Sequence, residues 1–388
     1  MREASLATPA ATGDGLGRLL QLDDPVVQEP DEELEREYER LVFERWRETE
    51  PNRQLSTGQL NAFYRVKPLI PRRAQLAARR ALIRWQRLPE FPQWPLDLTV
   101  ARLLRDHAFR TLRAQGRREA VFRWFWPAGY DAAVILTHDV EGQSGLRLAI
   151  ELADTEEALG FRSSFNVGGW YDVDPGFVHE LTSRGFELGV HGLRHDRSLF
   201  ASREAFEAQQ PALRKLVERV GAHGFRSPAT YRVLPWIAEL PVEYDCSVPH
   251  SDPYEPQPGG CCSLWPFFIG PVVELPYTLP QDHLLFTLLR HKTPSLWIEQ
   301  ARRIEGQYGL VQAVSHPDPG YLAEAENRAG YTEFLQALAE RPRLWRALPS
   351  EVAAWWRERD AGSTPLNAAL RVGGRTDEVE LEPPTSLA

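Results

Sequence analysis

Ala132-Ala133-Val134-Ile135-Leu136 runs directly into Thr137-His138-Asp139-Val140-Glu141, so an unbroken apolar segment ends on two carboxylates. A short continuous apolar run of this kind reads as a strand buried on both faces, the environment of a parallel sheet covered by helices. It delivers Asp139 and Glu141 to its carboxyl end, the rim where parallel α/β barrels collect catalytic groups. Phe186-Glu187-Leu188-Gly189-Val190 repeats the pattern after a turn at Gly185, with His191 at the strand end and His195 in the loop beyond. Gly224-Phe225-Arg226-Ser227-Pro228 and Leu310-Val311-Gln312-Ala313-Val314-Ser315-His316-Pro317-Asp318 repeat it again. Strand ends in chain order therefore carry carboxylates, a pair of imidazoles, a guanidinium and a further imidazole.

Two imidazoles and one carboxylate are what a borderline divalent ion takes as three protein ligands when a fourth position stays open for water. Glu141, His191 and His195 supply that set. The spacing of His191 and His195 is also that of helical zinc hydrolases, in which a glutamate follows the first histidine and acts as base. Gly192 occupies that position here, so the base comes from elsewhere, with Asp139 and Glu141 as the donors. His138 lies on the opposite side of the strand from Asp139 and is expected to be packed or hydrogen-bonded rather than a third imidazole ligand.

In order and spacing these segments resemble the polysaccharide deacetylase family, carbohydrate esterase family 4 or NodB-homology family, over residues 131 to 355. Thr137-His138-Asp139-Val140-Glu141 matches its first motif, His191 and His195 the second, Arg226-Ser227-Pro228 the third and Val314-Ser315-His316 the fifth; Tyr244-Asp245-Cys246-Ser247 fits the fourth loosely. The resemblance implies Asp139 as catalytic base with Arg226 paired to it, and Glu141, His191 and His195 as ligands of one divalent ion, zinc with cobalt or nickel as alternatives. It implies His316 as the acid, held protonated by Asp245 or Asp318, and a backbone N–H near Tyr231 as oxyanion donor. The implied reaction is hydrolysis of N-acetyl groups of an amino-sugar polysaccharide, oligosaccharide or lipid-linked precursor. Glutamate at 141 departs from the family's aspartate and lengthens the ligand by one methylene; Gly192 departs from its hydroxyl residue. Hydrolysis of a small non-peptide amide stays open, as does a glycan-binding pseudoenzyme that has lost its metal through Glu141.

Arg162-Ser163-Ser164-Phe165-Asn166-Val167, following a helix over 145 to 159, and Val272-Val273-Glu274-Leu275-Pro276 add strands. The fold expected is α/β, a distorted, incomplete (β/α) barrel of about seven strands, with an α-helical N-terminal extension and a short C-terminal tail. The chain divides into an acidic, partly disordered segment (1–54), a basic helical extension (55–130), the barrel (131–360) and the tail (361–388). Trp265, among aromatics clustered between Tyr254 and Phe268, either stacks on a sugar or plugs the loop onto the core. Ser350 reads as the cap of a helix reaching Arg359, and Glu378-Val379-Glu380-Leu381-Glu382 as an edge strand or disordered tail.

The net charge of −9 from 45 basic and 54 acidic residues argues against nucleic acid as a partner. Three cysteines without a C-x-x-C pair suggest neither a disulfide framework nor a thiolate metal site. With no signal-peptide run and no stretch of ~20 apolar residues, the expected location is cytoplasmic. Residues 55–89 contain no acid and mix Arg65, Lys67, Arg72, Arg73, Arg79, Arg80, Arg84 and Arg87 with Leu69, Ile70, Leu76, Leu82, Ile83 and Trp85. Such a segment either contacts an anionic membrane surface or docks its apolar face on the barrel; the second, the commoner habit of amphipathic helices, is the expectation.

Overall fold

The computed structural model describes residues 15–23, 31–49, 70–373 and 379–384. Arg65, Lys67 and Leu69 of the basic segment lie outside the described residues, as does much of the N-terminal stretch read as partly disordered.

The strands are β1 (Glu119–Arg123), β2 (Ala132–Val140), β3 (Ser164–Val167), β4 (Glu187–Val190), β5 (Gly224–Phe225), β6 (Tyr244–Asp245), β7 (Phe267–Ile269), β8 (Val272–Glu274), β9 (Leu310–Ser315), β10 (Leu344–Arg346), β11 (Leu366–Val372) and β12 (Val379–Glu382). Seven of them, in the order β9-β2-β3-β4-β5-β6-β8, pair in parallel and curl into a distorted barrel. β10 pairs in parallel with the first residues of β2, and β7 returns antiparallel along β8. Between β8 and β9 the barrel lacks a ladder and is joined by single bonds instead: Leu279 N–H donates to the Gln312 carbonyl (3.1 Å) and Gln312 N–H to Thr278 Oγ1 (2.9 Å). All nine residues of β2 are buried, as expected for a central strand of a covered sheet.

Helices Gln143–Ala158, Pro175–Ser183, Arg203–Val220, Ser295–Glu305, Ala325–Ala339 and Pro349–Asp360 lie between or after the strands. The last is capped two residues earlier than its sequence reading. Leu348 is the N-cap and Glu351 bonds back to its N–H (2.7 Å), while Ser350 is inside the first turn with its hydroxyl on Glu187. The N-terminal helices Gly15–Leu20, Glu32–Val42 and Thr99–Ala114 share one apolar core with the barrel, through residues such as Leu16, Leu41 and Leu104. The tail joins them. β1, β11 and β12 form an antiparallel sheet in which Ala120 faces Leu370 and Leu370 faces Leu381, and the period-two alternation buries Val379 and Leu381.

Candidate active site

β2 delivers Asp139 and Glu141 to one end of the barrel, β4 delivers His191, β5 Arg226 and β9 His316, so the sequence-read strand ends converge. Oxygen and nitrogen ligand atoms of Glu141, His191 and His195 lie within 4.8 Å of one another. Glu141 Oε1 is 3.1 Å from His195 Nε2 and 3.7 Å from His316 Nε2. His191 Nδ1 donates to the Arg226 carbonyl (2.9 Å), which fixes the tautomer and leaves Nε2 as the free donor to a cation. This N, N, O set fits a divalent ion of the zinc type. Glycine at 192 has a backbone reason: the chain turns there at φ +83°, which L side chains rarely adopt, and a Cβ would sit 3.3 Å from Pro228 Cδ.

Asp139 is held beneath these ligands. Asn166 of β3 donates Nδ2 to its Oδ1 (2.8 Å), and His191 Nδ1 is 3.9 Å away. Gly189 on β4 makes room for that amide, since a Cβ would lie 2.0 Å from Asn166 Oδ1. Burial pushes the Asp139 carboxyl upward, but the neighbouring His191, Arg226 and His316 together with the Asn166 hydrogen bond outweigh it and hold the group below the usual carboxylate range. Arg226 acts on Asp139 through space: its Nη2 donates to Thr137 Oγ1 (3.0 Å), and its buried Nε and Nη1 have no hydrogen-bond partner. The direct Arg226–Asp139 hydrogen bond expected from sequence is replaced by this arrangement.

His316 faces the same space with a different partner from those expected. Asp282 Oδ1 is 2.7 Å from its Nδ1 and Oδ2 accepts from its backbone N–H (3.0 Å). Burial disfavours the imidazolium, yet Asp282, Glu141 and Asp139 together raise its pKa to about 10. Asp245 instead accepts from Ser247 Oγ (2.7 Å) and from the Ser247 backbone N–H (3.1 Å), and burial pushes its carboxyl and that of Glu274 upward. Asp318 accepts the backbone N–H of Glu141 (2.8 Å), fixing the turn after β2. Asp282 was invisible to the sequence reading because it starts the helical turn His283–Leu288, beyond any strand end.

The aromatic side of the site also differs. Trp265 is buried, donates Nε1 to the Tyr308 carbonyl (2.9 Å) and lies against Phe125, 5.2 Å between ring centroids, so it plugs the loop onto the core. Tyr231 is buried and its N–H donates to the Pro228 carbonyl (3.3 Å). The ring beside the Glu141, His191 and His195 cluster is Trp170, with centroids 5.4 Å from His195 and 5.9 Å from His191, and its Nε1 donates to the Glu141 carbonyl (3.1 Å). Its place in the loop after β3 carried no sequence signal beyond the adjoining glycines. His138, as expected, is buried away from the cluster, with Nδ1 2.8 Å from Ser315 Oγ and Nε2 2.7 Å from Glu156 Oε1. Solvent reaches the cluster from the side of His195, whose side chain is 36% exposed against 2% for His191.

No family model and no curated protein matches this sequence. Among solved structures, the chain is similar to a Mycobacterium smegmatis protein assigned as a polysaccharide deacetylase, at 19% identity over 65% of this chain and 96% of that one, TM-score 0.49. It is similar to a PuuE allantoinase at 15% identity over 61% and 93% of the two chains, TM-score 0.47. It is also similar to a family 4 carbohydrate esterase from Streptomyces lividans, solved in complex with acetate, at 13% identity over 56% and 92%, TM-score 0.37.

Proposed function

We propose that this chain is a metal-dependent amidohydrolase that removes N-acetyl groups from an amino-sugar glycan. The observation that carries the reading is the convergence, at one barrel end, of a His, His, Glu donor set with an ionised carboxylate and an imidazole held by its own aspartate. Asp139, Glu141 and histidines 191, 195 and 316, to which the polysaccharide deacetylase resemblance gives the base, ligand and acid roles, lie together at one barrel end, which supports the reading.

A divalent ion held by Glu141, His191 and His195 would acidify water and polarise the acyl carbonyl. Asp139, oriented by Asn166 and kept ionised by the surrounding positive charge, accepts the proton of the attacking water. His316, kept charged by Asp282, gives a proton to the departing amine as the carbon–nitrogen bond breaks, so that acetamide and water become acetate and amine. Trp170 beside the solvent-facing His195 offers a flat apolar surface to a sugar ring.

The test pairs metal analysis with acetate assay. Protein purified without chelator or affinity metal is expected to hold about one equivalent of divalent ion, and His191→Ala/His195→Ala to hold little. Absence of metal from the wild type, even after titration with zinc, overturns the reading.

A further inference from the structure

Helix Arg72–Trp85 leaves a stripe of its apolar surface exposed. Its residues Ala74, Ala77, Ala78, Ala81, Leu82 and Trp85 recur at helical spacing along one face, and all are exposed, Trp85 at 84% and Leu82 at 69%. Leu88, just beyond the helix, is exposed as well. The inward anchors are polar: Arg79 donates to the Tyr254 carbonyl (3.2 Å) and sits 3.6 Å from Glu255, and Arg80 donates to the Thr287 carbonyl (2.9 Å). Gln86 donates to the Pro253 carbonyl (2.9 Å). Leu76 and Ile83 are half-buried beside these anchors, so the helix meets the protein in part as expected from sequence, while Leu82, Trp85 and the alanine stripe face out.

We infer that this face is a docking surface for an anionic lipid bilayer. Arg73, Arg84 and Arg87 flank the apolar stripe, are exposed, and enter no ion pair among the described residues. Residues 51 to 89 contain no acid, although the whole chain carries −9. Charge therefore selects an anionic partner locally, against the sign of the molecule as a whole. A tryptophan between leucines, bordered by arginines, suits the boundary between headgroups and acyl chains, where the ring and the aliphatic groups are buried and the guanidiniums meet phosphates. A second copy of the chain fits less well, because a two-fold contact through this face would bring the same arginines together. The helix rests on the segment that begins with Asp282, the partner of His316.

The experiment is co-sedimentation of the full chain with vesicles of phosphatidylcholine alone or mixed with phosphatidylglycerol, without substrate, so that it stands or falls apart from the proposed chemistry. The wild type is expected to pellet with the anionic vesicles and to be released by salt, and Leu82→Ser/Trp85→Ser/Leu88→Ser to remain in the supernatant with an unchanged melting curve. Arg73→Gln/Arg84→Gln/Arg87→Gln is expected to weaken binding by about fivefold per arginine, a readout that survives if the first variant misfolds. A wild type that ignores both vesicles overturns the inference, as does a serine variant that binds as well as the wild type. Concentration-dependent dimerisation abolished by the serine variant, without vesicle binding, would assign the face to a second copy and also overturn it.

Discussion

The candidate site and helix Arg72–Trp85 depart from ordinary protein anatomy in opposite directions. At the site, Asp139, His191, Arg226, Asp282 and His316 are charged or titratable and buried; on the helix, Leu82 and Trp85 are large, apolar and exposed. Buried polar groups and exposed apolar ones are the two informative exceptions to the rule of apolar interiors. Each needs a different compensation. The buried set is compensated internally: Asn166 on Asp139, the Arg226 carbonyl on His191, Asp282 on His316. Within the described residues the exposed set has no such partner, which is why it points to an external one.

Substitutions can separate the two regions by what they cost. The largest effect is expected for Asp139→Asn, which keeps the Asn166 contact geometry but removes the base; acetate release should fall by about 10² to 10⁴-fold with little change in melting temperature. A buried charge that serves only structure provides the contrast. Arg232 and Glu44 form a buried pair, with Arg232 Nε donating to Glu44 Oε2 (2.6 Å). Glu44→Gln leaves that guanidinium unpaired and should cost about 3 to 5 kcal/mol in urea unfolding, while sparing the site chemistry in the folded fraction. The pH dependence of this pair has a definite sign. Burial raises the Glu44 carboxyl but Arg232 outweighs it, leaving the folded-state pKa below the ordinary 4.5. Its stabilisation is therefore full above that value and lost as the pH falls through the lower folded pKa, so the wild type should lose more stability than Glu44→Gln between about pH 5 and about pH 3.

A smaller loss is expected for Gly189→Ala, roughly 2 kcal/mol with loss of activity, because the new methyl displaces the Asn166 amide from Asp139. The smallest is expected for Leu82→Ser and Trp85→Ser, within about 0.5 kcal/mol each by thermal melting. A large destabilisation there would mean that the exposed face packs on the protein after all and would erase the contrast.

The barrel was legible because its strands are short apolar runs that end in polar residues, and β2, β3, β4 and β9 begin or end within a few residues of their sequence readings. Two-residue strands such as β5 and β6 leave no periodic trace, and their parallel pairing emerges only from the sheet. At the site, residues immediately after strands could be read, whereas Asp282 and Trp170 could not, since their positions depend on how long loops fold back over the barrel end. Asp245 illustrates the converse. A strand-end aspartate of the expected type is spent on Ser247, and only the three-dimensional path reveals that Asp282 reaches His316 first. Helix Arg72–Trp85 has a related ambiguity: amphipathic spacing identifies apolar residues, but not that Leu76 and Ile83 turn inward beside Arg79 and Arg80 while Leu82 and Trp85 stay outside.

The most direct test of the proposed chemistry is to incubate zinc-loaded protein with an N-acetylglucosamine oligomer and quantify acetate and free amine together. Equimolar release of both, lost in Asp139→Asn and in His191→Ala/His195→Ala, is the predicted result. Stoichiometric metal binding with neither product formed from any N-acetylated amino sugar tested would contradict the account.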